Sequence, residues 1–391
     1  MKKLISLTLA AAMTMSLLAG CGSNSSVGTD SADASAETFK IGGIGPITGA
    51  GAVYGIAVKN GAELAIKEIN EAGGINGYQI EYNFQDDELD NEKSVNAYNT
   101  LKDWGMNMLV GSVTSGCCVA VAAESKNDNM FQITPSGSSV DCIEGNDNVF
   151  QICFTDPNQG VGAADYIGEN NLASKVAVIY DSSDVYSSGI YAKFKEEAAT
   201  QNFEIVSEEA FTADNKTDFS VQLAKAQEAG AELVFLPIYY TEASLILKQA
   251  DSMGYAPKFF GCDGLDGILG VENFDTSLAE GVMLLTPFAA DAQDDLTKKF
   301  VSAYETAYND TPNQFAADAY DAVYAIKAAA EKGDVAPSDG VSGICDKMKA
   351  AMQEITVNGL TGEGMNWAAD GTVNKAPKAM EIKNGAYALV Q

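Results

Sequence analysis

FKIGGIGPITGAGAVYGIAVKNGAELAIKEINEAGG, residues 39–74, reads as a strand, a glycine-rich turn and a helix in succession. Phe39 to Ile44 is a short β-rich run. From Ile56 to Ala72, the apolar residues Val58, Ala62, Ala65, Ile66 and Ile69 recur at helical spacing, and Gly73-Gly74 stops the pattern. The same grammar then repeats along the chain. Strand-like runs follow at 78–84, 108–110, 130–134, 176–180, 205–209 and 233–237, with helical stretches between them. Such alternation predicts an α/β fold of parallel sheets covered by helices on both faces, and the length accommodates two sheets. The first is expected to end near Phe154-Thr155-Asp156 and the second to open with a helix from Gln159 to Glu169. A second crossing is expected near Thr286-Pro287-Phe288, followed by helices over 294–308 and 315–332.

In open α/β sheets, ligands sit beyond the carboxyl ends of the strands, against helix N-termini. Six polar, Gly-rich junctions fall at such places: GIGPITGAGAVYG (43–55), GSVTSGCC (111–118), PSGSSVDC (135–142), DSSDVYSSG (181–189), IYYTE (238–242) and GCDG (261–264). Any one of them is ordinary loop chemistry. Six on one kind of edge argue for a ligand cleft.

Composition narrows what that cleft does. The formal charge of −30 argues against nucleic acid and against electrostatic docking on anionic lipid. No histidine is present, which removes Ser-His and Cys-His nucleophile pairs and the usual zinc sets. There is no arginine either, so a dicarboxylate or phosphate would have to be held by lysine and backbone. Adjacent Cys117 and Cys118 raise the question of a reactive thiol or a metal site, but no CxxC pair exists. The expectation is no catalytic residue, no metal and no cofactor. For Cys117, Cys118, Cys142, Cys153, Cys262 and Cys345, disulfides and buried thiols remain equally open. The acidic runs DDELD (86–90) and QDDL (293–296) read as surface or helix-start charge, and Trp104 and Trp367 are too few for carbohydrate stacking.

The first 38 residues stand apart. Lys2 and Lys3 precede an apolar run, Leu4 to Leu18, that is shorter than the roughly 20 residues of a membrane span. The ending Leu18-Ala19-Gly20-Cys21 resembles the lipobox of bacterial lipoproteins, which implies cleavage after Gly20 and lipidation of Cys21. Residues 1–20 are accordingly assigned as a signal peptide, and 21–38 as the lipidated cysteine and a flexible tether, since Gly22 to Glu37 holds no aromatic residue and only Val27 as a branched apolar one.

The run IGPITGAGAVYGIAVKNGAELAIKEINEAGGING (44–77), then DDELD, GSVTSG, ITPSGSS, FQICFTDPNQG (150–160), VAVIYDSSDVYSSG (176–189), TDFS (217–220) and LKQADSMGYAPKFFGCDG (247–264), resemble in order and spacing the solute-binding proteins of branched-chain (Leu/Ile/Val) amino-acid ABC transporters. The likeness spans residues 39–390. It implies the type I periplasmic-binding-protein fold, two doubly wound Rossmann-like lobes joined by a three-stranded hinge, with 39–155 plus 289–362 in lobe 1 and 156–288 plus 363–391 in lobe 2. It further implies a monomeric, non-enzymatic protein that takes a small amino acid, neutral and aliphatic, to an ABC permease with cytoplasmic ATPases. With the lipid anchor, the location is the outer face of the cell membrane, as at a Gram-positive surface. A ligand-sensing receptor lipoprotein, or a binder of an amide or other small carboxylate, is the alternative.

The resemblance also implies the site. Ser115 matches the hydroxyl that holds the α-carboxylate with helix N-terminal amides. Ser136 and Ser138 match the positions whose carbonyl and hydroxyl face the ammonium, Ser standing where the family carries Ala and Thr. Asp263 matches the acid that pairs with the ammonium, one methylene shorter than the family's Glu. Tyr186 matches an aromatic that closes over the ligand, while Tyr54 and Tyr239 match aromatics facing its side chain. Asp156 and Gln159 are assigned to the hinge.

Overall fold

The computed structural model describes residues 37–390; the expected signal peptide, Cys21 and residues 22–36 of the tether lie outside them. Strands β1 (Phe39–Gly45), β2 (Ile80–Asp86), β3 (Met108–Gly111), β4 (Phe131–Thr134) and β5 (Val149–Gln151) form a parallel sheet in the order β2-β1-β3-β4-β5. Strands β6 (Lys175–Asp181), β7 (Glu204–Phe211), β8 (Leu233–Leu236), β9 (Lys258–Gly261), β10 (Met283–Thr286), β11 (Lys378–Lys383) and β12 (Ala386–Leu389) form the second, in the order β12-β11-β10-β9-β8-β6-β7. Central strands such as β3 (MLVG) and β8 (LVFL) are buried at every residue, because helices cover both faces. Edge strands β2 and β7 are only partly buried and carry charged residues.

Helices α1 (Ala52–Glu71), α2 (Asn91–Trp104) and α3 (Ser115–Asp128) connect the strands of the first sheet, while α4 (Asp156–Glu169), α5 (Val185–Ala198), α6 (Ser220–Glu228) and α7 (Tyr240–Ser252) serve the second. The later helices α8 (Asp295–Tyr308), α9 (Gln314–Lys332) and α10 (Gly340–Met352) return to the first lobe. There α9 presents a row of buried alanines to α1, and Gly61 meets its backbone so closely that a Cβ would stand 2.0 Å from Ala316 O. The acidic runs are partly helix caps, since Asp90 accepts from Lys93 N and Asp294 from Thr297 N. Asp87 departs from the surface reading, being fully buried.

Two features depart from the sequence reading. The second sheet ends in antiparallel strands β11 and β12, joined at Asn384-Gly385, where both residues adopt positive φ (54° and 74°) as a two-residue hairpin turn requires. Part of the segment expected in lobe 2 from residue 363 instead packs on the first lobe. Trp367 Nε1 donates to Gln151 O (2.8 Å), Gln151 N to Gly371 O (3.0 Å), and Lys375 pairs with Asp318 of α9 (2.7 Å). These bonds put the third crossing after Lys375.

The lobes are closed on one another. Thr241 Oγ1 donates to Ala50 O (2.8 Å), Val53 N to the Tyr240 hydroxyl (3.2 Å), and Gln314 N to Asp266 Oδ2 (3.1 Å).

Candidate functional site

In each sheet the winding direction reverses, between β1 and β3 in the first and between β6 and β8 in the second, so the loops leaving those strands splay apart. The two crevices meet in one buried pocket. The first lobe brings Tyr54 from the first turn of α1, Ser115 from the start of α3, and Ser136 from the loop after β4. The second brings Tyr186 from α5, Tyr239 before α7, and Asp263 from a single 3-10 turn after β9. Six of the seven expected ligand residues are thus brought together. Ser138 is not. The chain turns at Gly137 and sends it toward the first crossing, where its carbonyl accepts from Asp156 N (2.9 Å) and its buried hydroxyl has no partner.

Helix α3 starts at Ser115 itself. Thr114 takes the extended N-cap geometry (φ −99°, ψ 150°), and its side chain makes no capping bond. The first-turn amides are therefore left for a ligand, and the positive end of the helix dipole points into the pocket. Ser115 is buried, and its Oγ accepts from Ser139 N (3.2 Å), which leaves the hydroxyl proton free to donate. Cys117 and Cys118 occupy the first turn behind it.

Opposite charge chemistry comes from Asp263. Its Oδ1 accepts from the Tyr186 hydroxyl (2.7 Å), while its backbone N–H reaches Gln159 Oε1 (3.1 Å). Burial pushes this carboxyl up to about 7; the Tyr186 hydroxyl pulls it partly back and the nearby Asp318 adds to the rise. Tyr186 stacks on Tyr239 with ring centres 4.9 Å apart and planes 10° apart. Gly264 makes that packing possible, because a Cβ there would stand 2.6 Å from the Tyr186 hydroxyl and 2.7 Å from Ile238 O. The Tyr54 hydroxyl donates to Gly264 O and accepts from Tyr240 N (3.2 Å), so Tyr54 crosses between the lobes. Of the neighbouring tyrosines, Tyr239 lines the pocket and Tyr240 lies outside it.

Sequence reasoning missed Val113, Thr114, Gly264 and Phe315 among the lining residues. Phe315 comes from the start of α9, 200 residues from Ser115, and packs its ring 4.6 Å from that of Tyr54. With the lobes closed, the pocket has a volume of only about 10 Å³, room for about one water-sized sphere. Thr114 and Tyr239 also line a cavity of about 420 Å³ that runs toward Asp90, Asp184 and Glu242. The pocket is thus the floor of a larger cleft, and a ligand of amino-acid size must enter with the lobes apart.

At the first crossing, both Asp156 carboxylate oxygens, Ser138 Oγ and Gln159 Nε2 are buried without hydrogen-bond partners. Burial holds the Asp156 carboxyl well above the usual range, and the Ser138 hydroxyl facing it only partly offsets this. The six described cysteines are all free and buried. Burial raises the thiols of Cys117, Cys142, Cys153 and Cys262, and pushes Cys345 up to about 12, so none of these five offers a thiolate near neutral pH.

Residues 38–386 match the sequence profile of the family described as periplasmic binding protein. The chain is 32% identical over 327 residues to Leu/Ile/Val-binding protein homolog 3 of Brucella melitensis, covering 82% of this chain and 85% of the relative. It is 30% identical over 308 residues to the leucine-, isoleucine-, valine-, threonine- and alanine-binding protein of Pseudomonas aeruginosa, covering 78% and 82%. In structure it resembles the branched-chain amino acid transporter substrate-binding protein LivJ of Streptococcus pneumoniae in complex with isoleucine. That likeness has a TM-score of 0.81 at 30% identity, covering 90% of this chain and 98% of that one.

Proposed function

Since the chain belongs to the periplasmic binding protein family, and is a binding protein rather than an enzyme, we propose that it captures a small neutral amino acid of the branched-chain kind in the interlobe pocket. The observation that carries this is the pairing of one buried carboxylate, Asp263, with an uncapped helix N-terminus, α3, across a pocket walled by Tyr54, Tyr186 and Tyr239. A zwitterion satisfies both ends. Its carboxylate takes the α3 amides and the Ser115 hydroxyl; its ammonium takes Asp263 and the carbonyl of Ser136, whose own hydroxyl is spent on Val113 O (2.6 Å). The aromatic walls receive the aliphatic side chain.

Closure on the ligand then presents a composite surface of both lobes to a membrane permease of the ABC type, with Cys21 as the lipidated anchor on the outer face of the membrane. The Leu/Ile/Val-binding relatives and the isoleucine complex of the pneumococcal protein support this reading.

The test is calorimetric titration with leucine, isoleucine and valine, and with 4-methylpentanoate, which is leucine without its amine. Asp263→Ala is expected to weaken the amino acids by about 30-fold or more, the equivalent of about 2 kcal/mol for a buried charge pair, and to leave 4-methylpentanoate unchanged. Equal losses for both would reject the ammonium role.

A further inference from the structure

We propose that Gln314, the first residue of α9, is the latch of lobe closure, a positioning residue that lies off the ligand and governs how long the ligand stays. The residue is only 1% exposed and is not among those lining the amino-acid pocket. From the first lobe it reaches across to one feature of the second, the 3-10 turn Asp263–Leu265 that presents the Asp263 carboxylate. Its side-chain amide donates to Asp263 O (3.2 Å), and its backbone amide donates to Asp266 Oδ2 (3.1 Å) just past the turn.

Both bonds depend on closure, because their donors sit on one lobe and their acceptors on the other. The Gln314 backbone amide is one of the N-terminal donors that α9 cannot satisfy within itself; Asn313, the N-cap, takes a different one, that of Ala316 (3.2 Å). Asp266 therefore caps a helix of the opposite lobe, with its carboxylate at the positive end of the helix dipole. Its own lobe holds that carboxylate in place, since the Tyr387 hydroxyl accepts from Gly267 N–H (2.9 Å) and gives its proton to Asp266. The turn is closed in the same way, by Asp266 N donating to Asp263 O (2.9 Å).

The first lobe thus grips the turn at Asp263 O and Asp266 Oδ2 from α9, and at Gly264 O through the Tyr54 hydroxyl of α1. Gln314 holds Asp263 by its carbonyl, while an amine-bearing ligand would hold it by its carboxylate. Latch and ligand then favour the closed state through the same residue. Because the latch is built from atoms of the chain alone, it acts with or without a ligand in the pocket.

The test is Gln314→Ala, with two readouts, and it rests on the amino-acid reading only for its kinetic probe, leucine. In stopped-flow fluorescence the dissociation rate of leucine should rise about fivefold or more, while the association rate constant should not fall, since the open pocket is untouched. Without ligand, hydrogen exchange is followed at the amides of Val53 and Tyr240, each bonded to a tyrosine hydroxyl of the other lobe (3.2 Å in both cases) and distinct from the latch bonds. Both should exchange about fivefold faster in the variant, because loss of the latch opens the whole interface and not only its own bonds. An unchanged dissociation rate, a loss carried by slower association, or wild-type exchange at Val53 and Tyr240 overturns the proposal. If leucine does not bind the wild-type chain, the amino-acid reading falls and exchange alone decides the latch. Should the Gln314→Ala chain fail to fold, Asp266→Asn, which keeps an oxygen acceptor and removes the charge at the α9 terminus, takes its place in both measurements under the same criteria.

Discussion

Replacing Asp263 by Asn is expected to change how stability depends on pH, and by an amount that can be worked out. Burial raises this carboxyl from the ordinary aspartate value of about 3.9 to about 7. Because the folded-state value lies above the unfolded one, the native chain keeps a proton that the unfolded chain releases between about pH 4 and pH 7. The stability this confers is complete below about pH 4 and is lost as pH rises through 7. At about 1.4 kcal/mol per pH unit, the ligand-free protein should lose at most about 4 kcal/mol between pH 4 and pH 8 through this group. Asn keeps an acceptor for the Tyr186 hydroxyl but does not titrate. The assay is urea unfolding of wild type and Asp263→Asn at half-unit intervals from pH 4.5 to 8. Burial also raises Asp87, Asp184 and Asp266, each to about 6, so both curves will slope and the quantity to read is their difference. That difference should favour the variant progressively above pH 5. Parallel curves would refute the claim that Asp263 sits desolvated without a cationic partner.

Three further outcomes follow from particular contacts. Lys375 and Asp318 form an ion pair with side chains 1% and 3% exposed, so Lys375→Ala should cost about 3–5 kcal/mol in the same unfolding assay, whereas Lys375→Met with Asp318→Leu should cost much less. Gly61→Val would drive a branched side chain against Ala316 O and push α1 from α9, lowering stability by about 2–3 kcal/mol while leaving ligand affinity nearly intact. Ser115→Ala should weaken leucine and 4-methylpentanoate alike, by about tenfold, since the hydroxyl serves the carboxylate that both carry; titration calorimetry separates this pattern from that of Asp263→Ala.

Most of the fold was legible because its elements announce themselves through burial. Strands β1, β3, β4, β6 and β8 are short apolar runs, and the helices between them repeat apolar residues at the helical period. What escaped was structure that rests on partners distant in sequence. Strand β5 is three residues long and holds its place by pairing with β4 and through contacts to Trp367 and Gly371. The β11-β12 hairpin did carry a local signal, Asn384-Gly385 between alternating residues, and a stricter reading of that dipeptide would have predicted it. The third crossing carried none: Lys375 reads as an ordinary surface lysine until Asp318, 57 residues earlier, is seen to be buried beside it.

The pocket was legible for a different reason. Loops at the carboxyl ends of parallel strands cannot bury unsatisfied backbone, so polar and glycine-rich junctions there mark the crevice before any coordinates exist. That logic marked the junctions that hold Ser115 and Asp263, and the resemblance to the solute-binding proteins singled those two residues out, but it placed Ser136 and Ser138 both at the ligand. The direction is set by Gly137, which packs so tightly that a Cβ would lie 2.8 Å from Thr134 Oγ1, and this turn sends Ser136 to the pocket and Ser138 to the hinge. Nor does sequence separate one aspartate from another. Asp90 and Asp294 cap helices and are satisfied by their own amides, whereas Asp156, Asp263 and Asp266 are all buried and face no cation. Carboxyls desolvated in this way cost stability unless a donor from outside the chain completes them. The fold thus keeps a desolvated carboxyl at Asp263, where the lobes meet, and an ammonium arriving there lowers the free energy of the closed state more than that of the open one, where water already solvates the acid.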